Sequence, residues 1–169
     1  MLEVRPVIYI MGLLGCGIAA MLCIPAGIDL LYQNSDWRVF LAAAMVAGTL
    51  GSIAVFSSKP ALAIRLNLRQ AFLITSLSWV IAAVLGAVPF VGLGISFTDA
   101  VFESMSGITT TGSTVLSGLD SLPPGILLWR ALLQWIGGIG IVAIAILMLP
   151  LLRIGGMQLF RIERSDTTE

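Results

Sequence analysis

Apolar and polar positions along this chain fall into long blocks, not into the period-two alternation of a half-buried strand. Pro6 to Ile28, Val39 to Ser58 and Ala131 to Leu152 carry no charge, and each is long enough to span a bilayer as a helix. Gln70 to Thr98 is also uncharged but too long for one straight span. Pro89, Gly92 and Gly94 predict that it breaks into a third helix, about Ala71 to Val88, and a short linker. The pattern then changes. Phe97 to Ser106 is amphipathic, and as a helix it rises only about 15 Å, half of a hydrocarbon core of about 30 Å. Such a segment dips into a membrane without crossing it. The Thr109 to Ser113 stretch that follows reads as non-helical, and non-helical backbone is tolerated at membrane depth only where protein buries it or where it lines a water-filled path. A long run, a short amphipathic segment and another long run together predict a pore loop.

The connections carry their own signals. Tyr32 to Trp37 is polar with an aromatic at each end, and Ser35 or Asp36 is placed to cap the second helix. The Ala and Gly content of that helix (Ala42, Ala43, Ala44, Ala47, Gly48, Gly51) suits close helix packing. Leu119 to Gly125 (LDSLPPG) reads as a turn at the membrane surface, and Arg153 to Glu169 as a polar tail frayed beyond Ser165. Pro6 to Ile28 exceeds the apolar length of a signal peptide and ends in no small-x-small cleavage site, so it is a transmembrane helix. The expected organisation is a two-helix hairpin and its linker over 1–69, a helix–pore loop–helix unit over 70–152, and a cytoplasmic tail over 153–169.

Composition agrees with the pattern. Of the 169 residues 58% are hydrophobic and 11% charged, and the mean hydropathy is +1.04, which together mark an integral membrane protein. Formal net charge is zero and gives no sign of a nucleic-acid partner. The chain has no His, the commonest general base and metal ligand. With no paired intramembrane carboxylates beyond Asp99 and Glu103 and no nucleophile–base constellation, an enzyme is not expected. Cys16 and Cys23 share one helix face but stand about 10 Å apart along the axis, so they read as packing residues and not as a bridge. The distribution of the nine basic residues matters more than their sum. With the N-terminus in the cytoplasm, Arg5, Lys59, Arg65, Arg69, Arg153, Arg161 and Arg164 lie inside, and Arg38 and Arg130 outside. The positive-inside rule therefore predicts that both termini are cytoplasmic and that the pore loop enters from the outer face.

In that orientation Ser96 or Thr98 caps the short helix, and Asp99 in its first turn is a favourable negative charge. The negative end of the helix dipole then lies at membrane depth near Ser106 and Gly107, facing a site suited to a dehydrated cation. Thr109, Thr110, Thr111 and Gly112, with Ser113 beside them, can line up backbone carbonyls that replace an ion's hydration shell. Gly112 permits a positive φ that other residues resist. Glu103, one turn after Asp99, sits at partial membrane depth. It either braces the loop, by bonding its backbone or pairing with Arg130, or acts directly on passing cations. Arg130 alone would snorkel to the interface. Gly137, Gly138 and Gly140 read as helix-packing positions, and Trp79, Trp129 and Trp135 as packing or interface anchors.

Two segments carry a resemblance. FESMSGITTTGSTVLSGLDSLPPGILLWRALLQWIGGIGIVAIAILMLP, from Phe102 to Pro150, resembles the first pore-loop repeat of the Trk/Ktr/HKT superfamily of potassium transporters, TrkH/TrkG type. RQAFLITSLSWV, from Arg69 to Val80, is similar to the start of the helix that precedes that loop. The two preceding helices fit the extra N-terminal pair of this type. The resemblance implies an all-α membrane protein with four transmembrane helices plus one re-entrant pore helix and filter loop. It implies uptake or symport of potassium, with sodium as a second ion, across the bacterial inner membrane. Thr109 to Gly112 are the matching filter positions, potassium meeting the carbonyls of Thr110, Thr111 and Gly112; no organic cofactor is implied. Thr114 stands where channels place a second filter glycine, so looser selectivity is expected. The family carries four such repeats around one pore, whereas this sequence contains one. The chain is therefore expected to be an N-terminal portion, or to assemble with the remaining pore-loop repeats or with other copies of itself, within the lipid bilayer. A cytosolic nucleotide-binding regulatory subunit of the TrkA type is the implied soluble partner. The alternative is a non-conducting assembly subunit or a truncated remnant.

Overall fold

The computed structural model describes residues 3–58 and 66–165, with side chains through Ile146. Lys59 and Arg65 lie outside the described residues, as do the side chains of Arg153, Arg161 and Arg164. Five α-helices follow in order: α1 (Arg5–Leu31), α2 (Trp37–Ser57), α3 (Leu68–Gly92), α4 (Phe97–Ile108) and α5 (Pro124–Ser165), with a 3-10 turn at Leu119–Ser121. Four of them, α1, α2, α3 and α5, have the length and hydropathy to cross a membrane. The protein is an all-α, multi-pass membrane protein.

Small residues let α1 and α2 approach backbone to backbone. A Cβ at Gly12 would lie 2.8 Å from the Gly51 carbonyl oxygen, and one at Gly51 would lie 2.7 Å from the Cys16 amide nitrogen. Because lipid is as apolar as a helix face, this hairpin is held by close packing. Both cysteines are free, and the Cys16 Sγ lies 3.9 Å from the Ser52 Oγ. The largest wholly buried side chains, Trp129, Phe40, Phe90 and Leu22, form one cluster with Ala26, Ala43 and Ile126. It gathers where α1 ends, α2 begins, α3 ends and α5 begins. There, dispersion contacts between close-packed atoms supply the cohesion.

Several boundaries differ from the expected ones. Asp36 occupies the N-cap of α2 but makes no side-chain cap bond. Its amide instead donates to the Asn34 Oδ1 at 3.3 Å, so the side chain of Asn34 organises the turn. The third helix does not stop at Val88. It runs through a buried Pro89 to Gly92: the proline forfeits its bond to the carbonyl four residues back, but the ladder resumes beyond it, the Leu93 amide reaching the Pro89 carbonyl at 3.1 Å. Its start carries an unforeseen capping box, in which Asn67 and Gln70 each accept the other's backbone N–H. The last helix begins seven residues before the expected Ala131, with Pro124 as its first residue, since a proline there gives up no intrahelical bond and presets φ. It continues unbroken past Leu152 to Ser165, through most of the expected tail.

Candidate ion-binding segment

The short helix α4 has 12 residues and Ser96 as its N-cap. Of the two expected caps, Ser96 is the one used. Its Oγ accepts the Asp99 amide at 3.2 Å and donates to the Asp99 Oδ2 at 2.8 Å. Asp99 is thus occupied at the start of α4, away from the threonine turn. The far end of α4 is wedged between α3 and α5. A Cβ on Gly86 of α3 would lie 2.5 Å from the Ser104 Oγ, and one on Gly107 would lie 3.1 Å from the Leu133 Cβ on α5. Gly137 of α5 lies directly against the Ile108 carbonyl, with no room for any side chain. Gly137 is therefore a packing glycine, whereas a Cβ on Gly138 or Gly140 would have open space among the described residues.

Beyond Ile108 the backbone reverses on its own helix. The Thr109 amide donates to the Met105 carbonyl at 2.9 Å, Thr110 to Gly107 at 2.9 Å, and Thr111 to Ser106 at 3.0 Å. Thr109 has φ −80° and ψ 0°, while Thr110 and Gly112 have φ of 58° and 77° with Thr111 between them outside the positive-φ set. The sign of φ therefore alternates over four residues. Alternation of right- and left-handed conformations turns every second peptide plane over, gathering like-charged backbone groups on one side. Among the described residues, the carbonyls of Thr109, Thr110, Thr111 and Gly112 accept no hydrogen bond. The Ser113 carbonyl is different, because it accepts from the Ser106 Oγ at 2.5 Å. The row of open carbonyls thus ends at Gly112, and Ser113, which was expected to flank it as a site residue, ties the return limb to α4. A β-branched residue at positive φ, as at Thr110, is uncommon and costs of the order of 1–2 kcal/mol.

The return limb is held by one buried carboxylate. Glu103 is 2% exposed, and its two oxygens accept from the Thr114 Oγ1 at 3.0 and 2.9 Å. Oε2 also accepts the Val115 amide at 3.1 Å, and Oε1 accepts the Arg130 Nε at 2.6 Å. The two ways in which the sequence let Glu103 brace the loop occur together. Arg130 turns inward to this carboxylate instead of snorkelling. Its neighbour Trp129 is fully buried and donates Nε1 to the Gly86 carbonyl at 2.9 Å, so it packs inside, whereas Trp135 is 63% exposed. The roles of Ser106 and Thr114 in tying the return limb are not predicted by the sequence. Their partners lie 7 and 11 residues away across a reversal, and no local pattern encodes that.

A family model described as TrkH, cation transport protein, matches residues 37–168. The Trk system potassium uptake protein TrkH of Escherichia coli (strain K12) is 41% identical over 162 residues, covering 94% of this chain and 33% of that protein. The TrkG protein of the same organism is 35% identical over 164 residues, covering 95% of the chain and 34% of its own length. The crystal structure of the potassium transporter TrkH from Vibrio parahaemolyticus superposes with a TM-score of 0.84 at 39% identity, over 92% of this chain and 34% of that one. The chain thus spans about a third of the length of the relatives it matches. A match over most of its residues and a shared fold lead to one conclusion: the chain belongs to the TrkH family of cation transport proteins.

Proposed function

We propose that this chain supplies one of four pore-loop repeats of a potassium uptake protein, with α4 as a re-entrant pore helix and Thr109 to Gly112 as its quarter of the selectivity filter. The observation that carries this reading is the alternation of φ over Thr109–Gly112, with four successive carbonyls unpaired among the described residues at the end of a half-membrane helix. Its dipole puts partial negative charge at that end, and carbonyls facing one axis replace a cation's water. Potassium is the ion named for the relatives. It would meet the carbonyls of Thr110, Thr111 and Gly112, while Thr114, standing where channels place a second filter glycine, makes the outer filter less regular and lets sodium compete. Glu103 and Arg130 act as braces, and Asp99, bonded to the Ser96 cap, supports the start of the pore helix. The resemblance to potassium uptake proteins supports a location in the bacterial inner membrane, and the distribution of the basic residues supports an orientation with both termini in the cytoplasm. There a nucleotide-binding subunit of the TrkA type would regulate it.

One loop cannot replace a hydration shell, so conduction requires the other repeats. The test is cation flux in liposomes. The four-repeat protein is expected to give potassium-selective flux and the 169-residue chain alone none. Barium-sensitive potassium flux from the chain alone, with a tetrameric mass in detergent, would show instead that copies of this chain form the ring.

A further inference from the structure

Asp29 lies in the last turn of α1, where the sequence marks it only as the charge that closes an apolar run. It is completely buried. Its Oδ1 accepts the backbone N–H of Gly125 at 2.7 Å, across 96 residues of chain. That N–H belongs to the first turn of α5 and has no partner within its own helix. A carboxylate there also meets the positive end of the α5 dipole. The fit requires glycine, because a Cβ at position 125 would overlap the carboxylate. Among the described residues the second oxygen, Oδ2, has no hydrogen-bond partner, so the Gly125 amide alone holds the group.

Gly125 is not an isolated end. One turn further along α5, Trp129 is bonded to the Gly86 carbonyl of α3, and the next residue, Arg130, reaches Glu103. Glu103 in turn holds Thr114 and Val115 just beyond Gly112. A chain of bonds, carried along α5 and buried at Gly125 and Trp129, therefore runs from the end of α1 to the part-buried bonds of Glu103 on the return limb of the carbonyl-bearing segment. The axial position of α5 sets where Arg130 meets Glu103.

We propose that Asp29 is a positioning residue for ion selection: by fixing the first turn of α5, it sets the level at which Arg130 holds Glu103 and hence the spacing of the Thr109–Gly112 carbonyls. The N-terminal hairpin then takes part in selectivity and is more than a membrane anchor. This inference rests on the pore-loop reading given above.

A purely structural cap would change the amount of folded protein and nothing else, so the test reads selectivity per folded transporter. Potassium and sodium uptake by the four-repeat protein is measured in cells lacking other potassium uptake systems and normalised to membrane abundance. Asp29→Ala is expected to raise the apparent KM for potassium and lower the potassium-to-sodium ratio about fivefold, the share of one lost helix cap. Asp29→Asn, which keeps an acceptor for the Gly125 amide, is expected to stay within about twofold of the wild type. In a Glu103→Gln background the Asp29→Ala change should add little, because residues acting through one chain of contacts are not additive. If Asp29→Ala does not accumulate, Gly125→Ala reaches the same joint from α5. Unaltered KM and ion ratio in Asp29→Ala or Gly125→Ala at normal abundance would overturn the proposal, as would full additivity with Glu103→Gln. A wild-type protein without potassium-selective uptake would instead sink the pore-loop reading itself.

Discussion

Replacing Glu103 by Gln changes one atom and none of the volume, yet it strikes the most heavily bonded side chain of the site. Both carboxylate oxygens face donors. Oε1 faces Arg130 Nε and the Thr114 hydroxyl, and Oε2 faces the Val115 amide and the same hydroxyl. Whichever way the amide is turned, its NH2 opposes an N–H, so one bond is lost outright. The Arg130 charge, on a side chain only 16% exposed, also loses its countercharge. Breaking a buried ion pair from one side costs about 3–5 kcal/mol. Partial access of Arg130 to water places this case near the lower end, about 3 kcal/mol, or roughly a hundredfold in an equilibrium. That loss should divide between stability and the geometry of the return limb. The purified four-repeat protein carrying Glu103→Gln should melt at lower temperature, and its apparent potassium affinity should fall at least tenfold. Adding Arg130→Met should recover part of the stability, because an apolar residue leaves no unpaired charge. A Glu103→Gln protein with unchanged melting and potassium affinity would refute the bracing role.

Three further outcomes follow from the same geometry. Gly112→Ala should weaken potassium selection through backbone strain alone, about 1–2 kcal/mol at a φ of 77°, since a Cβ there would touch nothing among the described residues; competition uptake checks it, and unchanged selectivity would remove Gly112 from the site. Gly137→Ala should destabilise the protein by about 1–3 kcal/mol by forcing α5 away from the Ile108 carbonyl, whereas Gly138→Ala should not, and thermal melts of this chain in detergent separate the two. A cysteine placed at the exposed Ser121, on a background lacking Cys16 and Cys23, should react with an impermeant reagent from outside the cell, and one at Ser58 should not; the reverse pattern would invert the topology.

The sequence made the spans readable because bilayer thickness imposes a length on apolar runs, and the shortness of Phe97–Ser106 stood out against that length. Its start was legible for a local reason: Ser96 lies three residues before Asp99, within reach of its amide. The TTTG segment was legible as a turn, and Gly112 as a positive-φ position, from residue type alone. Thr110 was not, since nothing about a β-branched residue announces a left-handed backbone that tertiary bonds impose. Pro89 misled for the opposite reason. Its penalty inside a helix is real, one bond to the carbonyl four residues back, but the packing of the buried Pro89 and Phe90 carries the helix on to Gly92. The pair Glu103–Arg130 could be guessed, because two charges in an apolar context need each other. The Asp29–Gly125 bond could not, because a carboxylate after a transmembrane run looks like any interfacial charge until the fold brings the first turn of α5 against it.

The central claim, that the carbonyls of Thr109–Gly112 meet the transported ion, is tested most directly by locating the ion. A crystal structure of the four-repeat protein grown with thallium or rubidium in place of potassium would show these ions by anomalous scattering. The account predicts density on the pore axis, in contact with the carbonyl oxygens of Thr110, Thr111 and Gly112. Density bound instead at carboxylates such as Asp99, with those carbonyls facing protein or lipid, would contradict it.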